Sequence, residues 1–411
     1  MFERTLQALR HPRTHLGAAR EQLAYQANRA LWHAAEIVGV TSVLGAGAER
    51  RFCARPFCHF EVKHDGNVYL CNSALVPLPA GNLRRSTPEE VWSSRTARAI
   101  RRAILDGSFA FCNKASCRFL RGGLVPRARE VTDERLRAIM DRGLTRLPHG
   151  PREVNAGYDR TCNLACPSCR RAVHAASGTE AAEARRIQDA ILSWARFADV
   201  EHLTLAGSGD PFGSPVYRDF LRGFDPARFP GLKLRLHTNG LLFTESMWAS
   251  MPGVAGRLQE MRLSVDAATA ETYARIHPGG DFAVLLRNME FAGALRRAGH
   301  MEMLTGHFCA QADNFRELPR FVDLCKRLGF NRIRLKRMLD WGTMTPEVFR
   351  TLAVHRRQHP QHEEFLRIMA DPALRDPIVV AGNLSEFLPG QPWRSRPRRR
   401  YSLTVEDSAE R

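Results

Sequence analysis

From residue 152 onward, short runs of alternating apolar and polar residues take turns with longer stretches of helical periodicity. Period-two runs predict strands, and stretches with apolar residues every three to four positions predict helices. Strands that alternate with helices form a parallel sheet, which is either doubly wound or a partial barrel. The predicted strands are 153–159, 202–207, 232–238, 258–266, 302–310 and 331–337, and the predicted helices are 180–197, 216–224, 244–250, 282–298 and 315–328.

The chain before residue 150 has a different pattern. An alternating run interrupted by Asp65 and Gly66 predicts a hairpin with a two-residue turn. A helix should follow, with Thr87 as N-cap, Pro88 as first helical residue and Glu90 as the capping-box partner. We predict a helical segment 1–50, a small domain 51–120, a connecting segment 121–150 with a helix near 132–142, a core 151–345, and a helical and Pro/Arg-rich tail 346–411.

Composition and charge exclude several function classes. No apolar run is long enough to span a membrane, and the charged N-terminus is not a secretory signal, so we expect a cytoplasmic protein. The formal net charge is +18, and the densest basic run is 394–400, in a Pro-containing stretch. No aromatic residues are interleaved with it as in RNA-binding modules, so we interpret it as a solvated tail and nucleic acid as an unlikely partner.

Ten cysteines are distributed unevenly along the chain. Five lie between Cys53 and Cys117 and three between Cys162 and Cys169, whereas Cys309 and Cys325 stand alone and are interpreted as small core residues. A disulfide framework is typical of short secreted chains, which this is not. The clustering therefore indicates metal binding.

The stretch CNLACPSC, residues 162–169, places three cysteines on the loop that follows the first predicted strand of the core. Ligands gather at such loops, because they lie at the carboxyl ends of parallel strands. A structural zinc site requires four ligands, usually in paired CxxC motifs. Three thiolates on one loop fit a 4Fe–4S cluster in which one iron is left open.

This spacing, CxxxCxxC after the first strand, resembles the signature of the radical S-adenosylmethionine (radical SAM) enzymes. The resemblance implies an α/β fold, a partial (β/α)6 TIM-like barrel, with a small N-terminal iron–sulfur domain. It implies a SAM-binding 4Fe–4S cluster held by Cys162, Cys166 and Cys169, with the SAM amino and carboxylate groups on the fourth iron. It also implies that reductive cleavage of SAM yields a 5′-deoxyadenosyl radical, since the cofactor carries the difficult chemistry.

Three further segments support the resemblance: 206–212 after the second strand, 237–240 after the third, and 262–267 on the fourth. The first is similar to the glycine-glycine-glutamate motif of the family, with Asp in place of Glu. A helix N-cap is the alternative role for that Asp, and a plain turn residue for the Asn of the second segment. The resemblance implies SAM contacts from Gly207, Ser208, Gly209, Asp210, Asn239, Ser264 and Asp266.

The earlier cysteines resemble a SPASM domain, or the shorter twitch domain, with its Asp-Gly hairpin and closing cysteine pair. The resemblance implies one auxiliary 4Fe–4S cluster, because five thiolates do not fill two. Cys53 is an alternative to the first or last member of the set, and a zinc ribbon is the alternative site. The ligands implied are Cys58, Cys71, Cys112 and Cys117.

The family resemblance implies an enzyme that abstracts hydrogen from a peptide or a small polar, sugar-like substrate. An electron donor such as flavodoxin or ferredoxin would reduce the cluster. The alternative is a non-catalytic iron–sulfur scaffold or redox-sensing protein, for which the SAM-binding segments would have no use.

Overall fold

The computed structural model describes residues 50–389, apart from 115, 116, 206, 208 and 340–343. The chain forms two compact units that interleave along the sequence. Consecutive segments were expected from the sequence instead, and the predictions for 1–49 and 390–411 lie outside the described residues. The first unit comprises the described part of Met1–Phe57, together with Tyr69–Ala80 and Ser93–Leu147. The second unit comprises Cys58–Val68, Gly81–Trp92 and the described part of Pro148–Arg411.

The second unit is built on a mostly parallel sheet. Its strand order is β10-β9-β8-β7-β6-β5-β4-β1-β2-β3 among the described residues. Strands β4 to β9 are the six predicted ones, and they are parallel and follow each other in sequence order, so the α/β partial-barrel prediction is confirmed. The sheet is not closed. The strands are β1 His59–Lys63, β2 Asn67–Tyr69, β3 Gly81–Asn82, β4 Glu153–Gly157, β5 His202–Leu205, β6 Lys233–Thr238, β7 Leu258–Ser264, β8 Met301–Ala310, β9 Arg332–Arg337 and β10 Val379–Val380.

Helices connect these strands, and most begin at a Ser, Thr or Asp N-cap whose side chain accepts a backbone N–H. The α-helices are Pro88–Trp92, Gly178–Leu192, Pro215–Arg222, Glu245–Ala249, Ala270–Ile276, Phe282–Arg297, Leu318–Arg327, Pro346–Leu352 and His362–Met369. The 3-10 helices are Ala195–Asp199, Pro252–Val254, Phe315–Glu317, Pro372–Arg375 and Gly382–Phe387.

Strand β1 is added to the barrel sheet beside β4, the first of the six barrel strands. It pairs in parallel with β4, His59 opposite Glu153 and Lys63 opposite Gly157. Its other neighbour is β2, so the predicted hairpin around Asp65-Gly66 is confirmed, but its union with the barrel sheet was not predicted. The capping box predicted for the next helix is also present, because Thr87 and Glu90 accept each other's backbone N–H.

The two faces of the sheet differ in polarity. Residues in register on neighbouring strands share a face, and successive residues alternate between faces. One face is apolar, with side chains at most 3% exposed: Phe60, Val62, Val154, Ala156, Leu203, Leu205, Leu234, Leu236, Met261, Leu263, Leu304, Phe308, Ile333 and Leu335. The other is polar: His59, Glu61, Lys63, Glu153, Asn155, His202, Thr204, Arg235, His237, Glu260, Arg262, Ser264, Thr305, His307, Cys309, Arg334 and Lys336.

Close packing on the apolar face explains Gly306 in the middle of β8. A Cβ on this residue would lie 2.8 Å from Cys325 Sγ and 3.1 Å from the Phe321 ring. Cys325 is fully buried, as the sequence analysis expected of a core residue. Cys309 differs from that expectation, because it lies on the polar face and is only partly buried.

The first unit is mainly helical. Its helix Arg95–Leu105 begins at the N-cap Ser94 and buries an apolar stripe. Arg101 is buried in this helix, where its guanidinium donates to the carbonyls of Pro56 and Thr145. The other helices of this unit are Arg118–Arg121, Ala128–Glu130 (3-10) and Glu134–Arg142, and helix Arg55–Cys58 begins in it.

No helix in the described part of the chain combines the length and the apolar character that crossing a bilayer requires.

Candidate iron–sulfur site

The loop after β4 carries the three cysteines predicted to bind a cluster. Cys162 donates its N–H to the carbonyl of His174 at 2.9 Å, which fixes the start of the loop. Cys169 donates its N–H to the carbonyl of Cys166 at 2.8 Å, so the last two cysteines lie in one tight turn. Cys169 is exposed and the other two are partly buried. The loop therefore offers its thiols at the carboxyl edge of the sheet.

Asp210, predicted to contact SAM, connects two loops of the site. Its carboxylate is 1% exposed and accepts four hydrogen bonds inside the protein. Oδ1 accepts from the N–H of Phe212 at 2.9 Å and of Gly213 at 3.3 Å. Oδ2 accepts from Thr238 Oγ1 at 2.7 Å and from the Asn239 N–H at 2.8 Å. These bonds occupy its acceptor positions and tie the loop after β5 to the end of β6, while its contact with SAM stays a prediction.

The glycines of the same segment bring it against the cysteine loop. Asp210 N–H donates to the Thr161 carbonyl at 2.7 Å. A Cβ on Gly209 would lie 2.4 Å from that same oxygen, so only glycine allows this approach. Gly207 has a φ of +155°, and Ser208 lies outside the described residues. The predicted SAM contacts of these three residues remain proposals.

Asn239 lies beside the first cysteine. Its Nδ2 is 3.9 Å from Cys162 Sγ and 2.9 Å from Asn163 Oδ1. Its Oδ1 accepts the N–H of Leu241, as a turn residue would. Its position is therefore compatible with both roles considered from the sequence, a SAM contact and a turn residue. Its side chain is within reach of the predicted cluster.

Ser264 and Asp266 lie at the carboxyl end of β7. Ser264 Oγ is 3.0 Å from His237 Nε2 on the polar face. Asp266 has a φ of +60°, uncommon for a residue other than glycine, and its Oδ1 accepts the Cys309 N–H at 2.6 Å. Asp266 thus makes contacts within the protein, and both side chains are partly exposed, so their predicted SAM contacts stay predictions.

His277 was not predicted, and its ring lies against a cluster cysteine. Its Nδ1 is 3.0 Å from Cys166 Sγ, and its Nε2 is 3.2 Å from Asp266 Oδ2. Burial lowers the pKa of His277, but the Asp266 carboxylate and the Cys166 thiol outweigh burial and raise the pKa to about 10. The ring therefore joins the cysteine loop to the end of β7.

The donor set of the loop suits an iron–sulfur cluster. All three candidate ligands are thiols, the ligands that such clusters take. Within the described residues, no three His, Cys, Asp or Glu side chains converge as the ligands of a single ion do. Cys162, Cys166 and Cys169 would hold three irons of a 4Fe–4S cluster.

A second group of thiols lies in the first unit. Burial, together with the neighbouring Cys71 and Cys117 thiols, raises the pKa of Cys53 to about 12. Burial also raises the pKa of Cys112, with added contributions from Cys53, Cys71 and Cys117. These four thiols therefore lie close enough together to influence one another.

Cys58, a predicted ligand, belongs to the second unit. It is 6% exposed, and its carbonyl accepts the Arg152 N–H at 2.9 Å. Its role as a cluster ligand stays a prediction, and Cys53, the alternative weighed from the sequence, lies among the other three thiols.

Comparison with known proteins bears on this second group. Residues 53–118 match the model of an iron–sulfur cluster-binding domain, SPASM. The resemblance of this stretch to a SPASM domain is confirmed by the match. The predicted α/β partial-barrel fold is confirmed by the order and direction of β4 to β9.

Solved structures give weaker likenesses. The chain is similar to Streptococcus suis SuiB at 14% identity and a TM-score of 0.37, over 52% of this chain and 45% of SuiB. It is similar to TYW1 with a lysine-pyruvate adduct bound, at 15% identity and a TM-score of 0.35, over 52% of this chain and 70% of TYW1. SuiB bound to S-adenosylmethionine matches at 13% identity and a TM-score of 0.35, over 61% of this chain and 53% of SuiB. No curated protein matches the chain.

Proposed function

We propose that the protein is a radical SAM enzyme with one SAM-binding and one auxiliary 4Fe–4S cluster. The observation that carries the proposal is the cysteine loop after β4, joined through Asn239 and Asp210 to the loops that follow β6 and β5. Three thiols leave one iron of a cluster open, and SAM would chelate it. When bound and reduced, the cluster supplies the electron that cleaves SAM to a 5′-deoxyadenosyl radical.

The residues of the chain have separate tasks in this scheme. Cys162, Cys166 and Cys169 would hold the cluster, and His277 would orient and hydrogen-bond the Cys166 sulfur. Asp210 keeps the SAM-facing loops in register. The Gly207–Gly209 backbone, Asn239 and Ser264 are the proposed SAM contacts.

We propose Cys53, Cys71, Cys112 and Cys117 as ligands of the auxiliary cluster, with Cys53 in place of Cys58. Cys71 and Cys112 pack against the same small apolar core of the first unit. The substrate proposed is a peptide or a small polar molecule, and the electron donor is a flavodoxin or ferredoxin.

Anaerobic reconstitution tests the proposal. With SAM and dithionite, the protein should release 5′-deoxyadenosine, measured by chromatography. A variant with Cys162, Cys166 and Cys169 all changed to Ala should keep about half the iron, since the auxiliary thiols remain, and release none. Protein that holds both clusters but yields no 5′-deoxyadenosine above a cluster-free control would favour the scaffold or redox-sensor alternative.

A further inference from the structure

The polar face of the sheet contains a basic group near β9 that the proposed function does not use. Lys336 is partly buried near the carboxyl end of β9, and its Nζ is 3.1 Å from His307 Nδ1 on β8. The chain has only five lysines among 61 basic residues. An amine at this position differs from the arginines around it, because it can lose its proton within an ordinary pH range.

His307 leaves one ring nitrogen unused. With Nδ1 facing Lys336, the other proton position is Nε2, which is buried and has no hydrogen-bond partner. The His237 ring lies across it at 4.9 Å between centroids. Burial, together with the Lys336 charge, lowers the pKa of His307 well below its usual value, so the ring stays neutral. A buried ring nitrogen without a partner is rare in proteins and points to a missing polar group.

Positive charge exceeds negative charge here. Glu260 forms an ion pair with Arg262 at 2.6 Å. Burial opposes ionisation of Glu260, but Arg262 and Arg334 outweigh it and hold the pKa of its carboxyl well below the usual range. Glu260 thus faces two guanidinium groups. The Asp266 carboxylate, whose charge also acts on Lys336, has the His277 ring as its ion-pair partner.

We propose that Lys336 and His307 bind an anionic group of the substrate, a carboxylate or a phosphate. Arg334, the residue of β9 in register with His307, lies beside them in the sheet. Lys336 Nζ would donate a hydrogen bond to the anion, and the buried Arg334 guanidinium would add electrostatic attraction. The site lies toward the carboxyl ends of β8 and β9, the edge where parallel sheets bind ligands. This inference rests on the proposed function only for the reaction that the bound substrate undergoes.

Lysine labelling tests the site without SAM cleavage. The anaerobic holoprotein is treated with pyridoxal 5′-phosphate near neutral pH, reduced with borohydride and mapped by peptide mass spectrometry. Burial and Arg334 lower the pKa of Lys336 to about 7, so much of its amine is uncharged and reactive. We expect Lys336 to be labelled about tenfold faster than the exposed Lys114, because the uncharged amine is the form that reacts with the aldehyde.

Pyridoxal without the phosphate is the matched probe. The preference for Lys336 over Lys114 should fall by about tenfold with it, as expected when one charged hydrogen bond is lost. Inorganic phosphate and succinate, added separately, should slow the labelling, and the stronger competitor identifies the anion. Lys336→Met should lose this label alone.

Equal preference with both aldehydes, or no labelling of Lys336, would overturn the anion site while leaving 5′-deoxyadenosine release untouched. Labelling as expected without 5′-deoxyadenosine release would instead refute the proposed function.

Discussion

Replacing Asp210 by Asn separates a structural role from a direct contact with SAM. The side chain keeps its size but exchanges one carboxylate oxygen for an amide NH2. Each oxygen of Asp210 accepts two hydrogen bonds, so either orientation of the amide turns the NH2 toward two donors. Two of the four bonds are therefore lost, and the loop after β5 loosens from the end of β6.

The size of the effect follows from these contacts. Two lost bonds to a charged acceptor cost about 3–6 kcal/mol. Burial raises the pKa of Asp210, which means that the folded state also carries the cost of an enclosed charge. The neutral amide avoids that cost, so we expect a net destabilisation of about 2 kcal/mol. In a unit of this size, this lowers the melting temperature by about 4–8 °C.

The assay is an anaerobic thermal melt of the reconstituted protein, paired with the SAM dissociation constant measured well below the transition. Asp219→Asn is the matched control, because this exposed carboxylate forms a surface ion pair with Arg185 at 2.7 Å. Such pairs contribute about 0–1 kcal/mol. Asp210→Glu should also destabilise the protein, by about 1–3 kcal/mol, because the enclosed site has no room for another methylene.

The opposite pattern would refute this reasoning. If Asp210 holds the SAM amine, Asp210→Asn melts like the parent protein and weakens SAM binding about ten- to hundredfold. Glu would then be accepted, as in the family motif that this segment resembles. On our interpretation, the dissociation constant measured for the folded Asn variant changes by less than about threefold.

Three further outcomes are expected. Cys53→Ser should lose the auxiliary cluster, about half of the iron, whereas Cys58→Ser keeps it; iron analysis showing the reverse would restore Cys58 as a ligand. His277→Phe should lower the reduction potential of the SAM-binding cluster by about 40 mV if the hydrogen bond favours the reduced state by about 1 kcal/mol. A redox titration followed by electron paramagnetic resonance measures it, and an unchanged potential contradicts that role. Labelling of Lys336 should rise with pH and reach half its maximum near 7, because only the neutral amine reacts; a rate that keeps rising far above pH 7 would show that the Lys336 pKa is not lowered.

The sequence predicted what depends on local spacing. The three cysteines after β4, the six parallel strands and the capping box at Thr87 each follow from residues close together in the chain. A SAM contact for Asp210 was predicted from the resemblance of its segment to a family motif. Its hydrogen bonds to Thr238 and Asn239 were not predicted, because these donors come from another strand end.

Most features that the sequence did not predict are contacts between residues that lie far apart in the chain. His277 follows Cys166 by 111 residues, and no local pattern connects a histidine at a helix end with a cysteine loop. Cys53 and Cys58 are five residues apart with similar sequence surroundings. The thiols near Cys53, those of Cys71, Cys112 and Cys117, come from positions farther along the chain, so spacing alone does not choose between the two.

The parallel pairing of β1 with β4 limits how the chain can be shortened. A fragment starting at residue 151 would retain the cysteine loop and the barrel strands, but one edge of β4 would lack its hydrogen-bonding partner. It would also lose Phe60, whose buried ring lies 5.6 Å from that of Trp194. A bare strand edge beside a newly exposed aromatic ring favours aggregation. The shortest soluble barrel fragment should therefore begin before residue 58, inside the stretch that matches the SPASM domain.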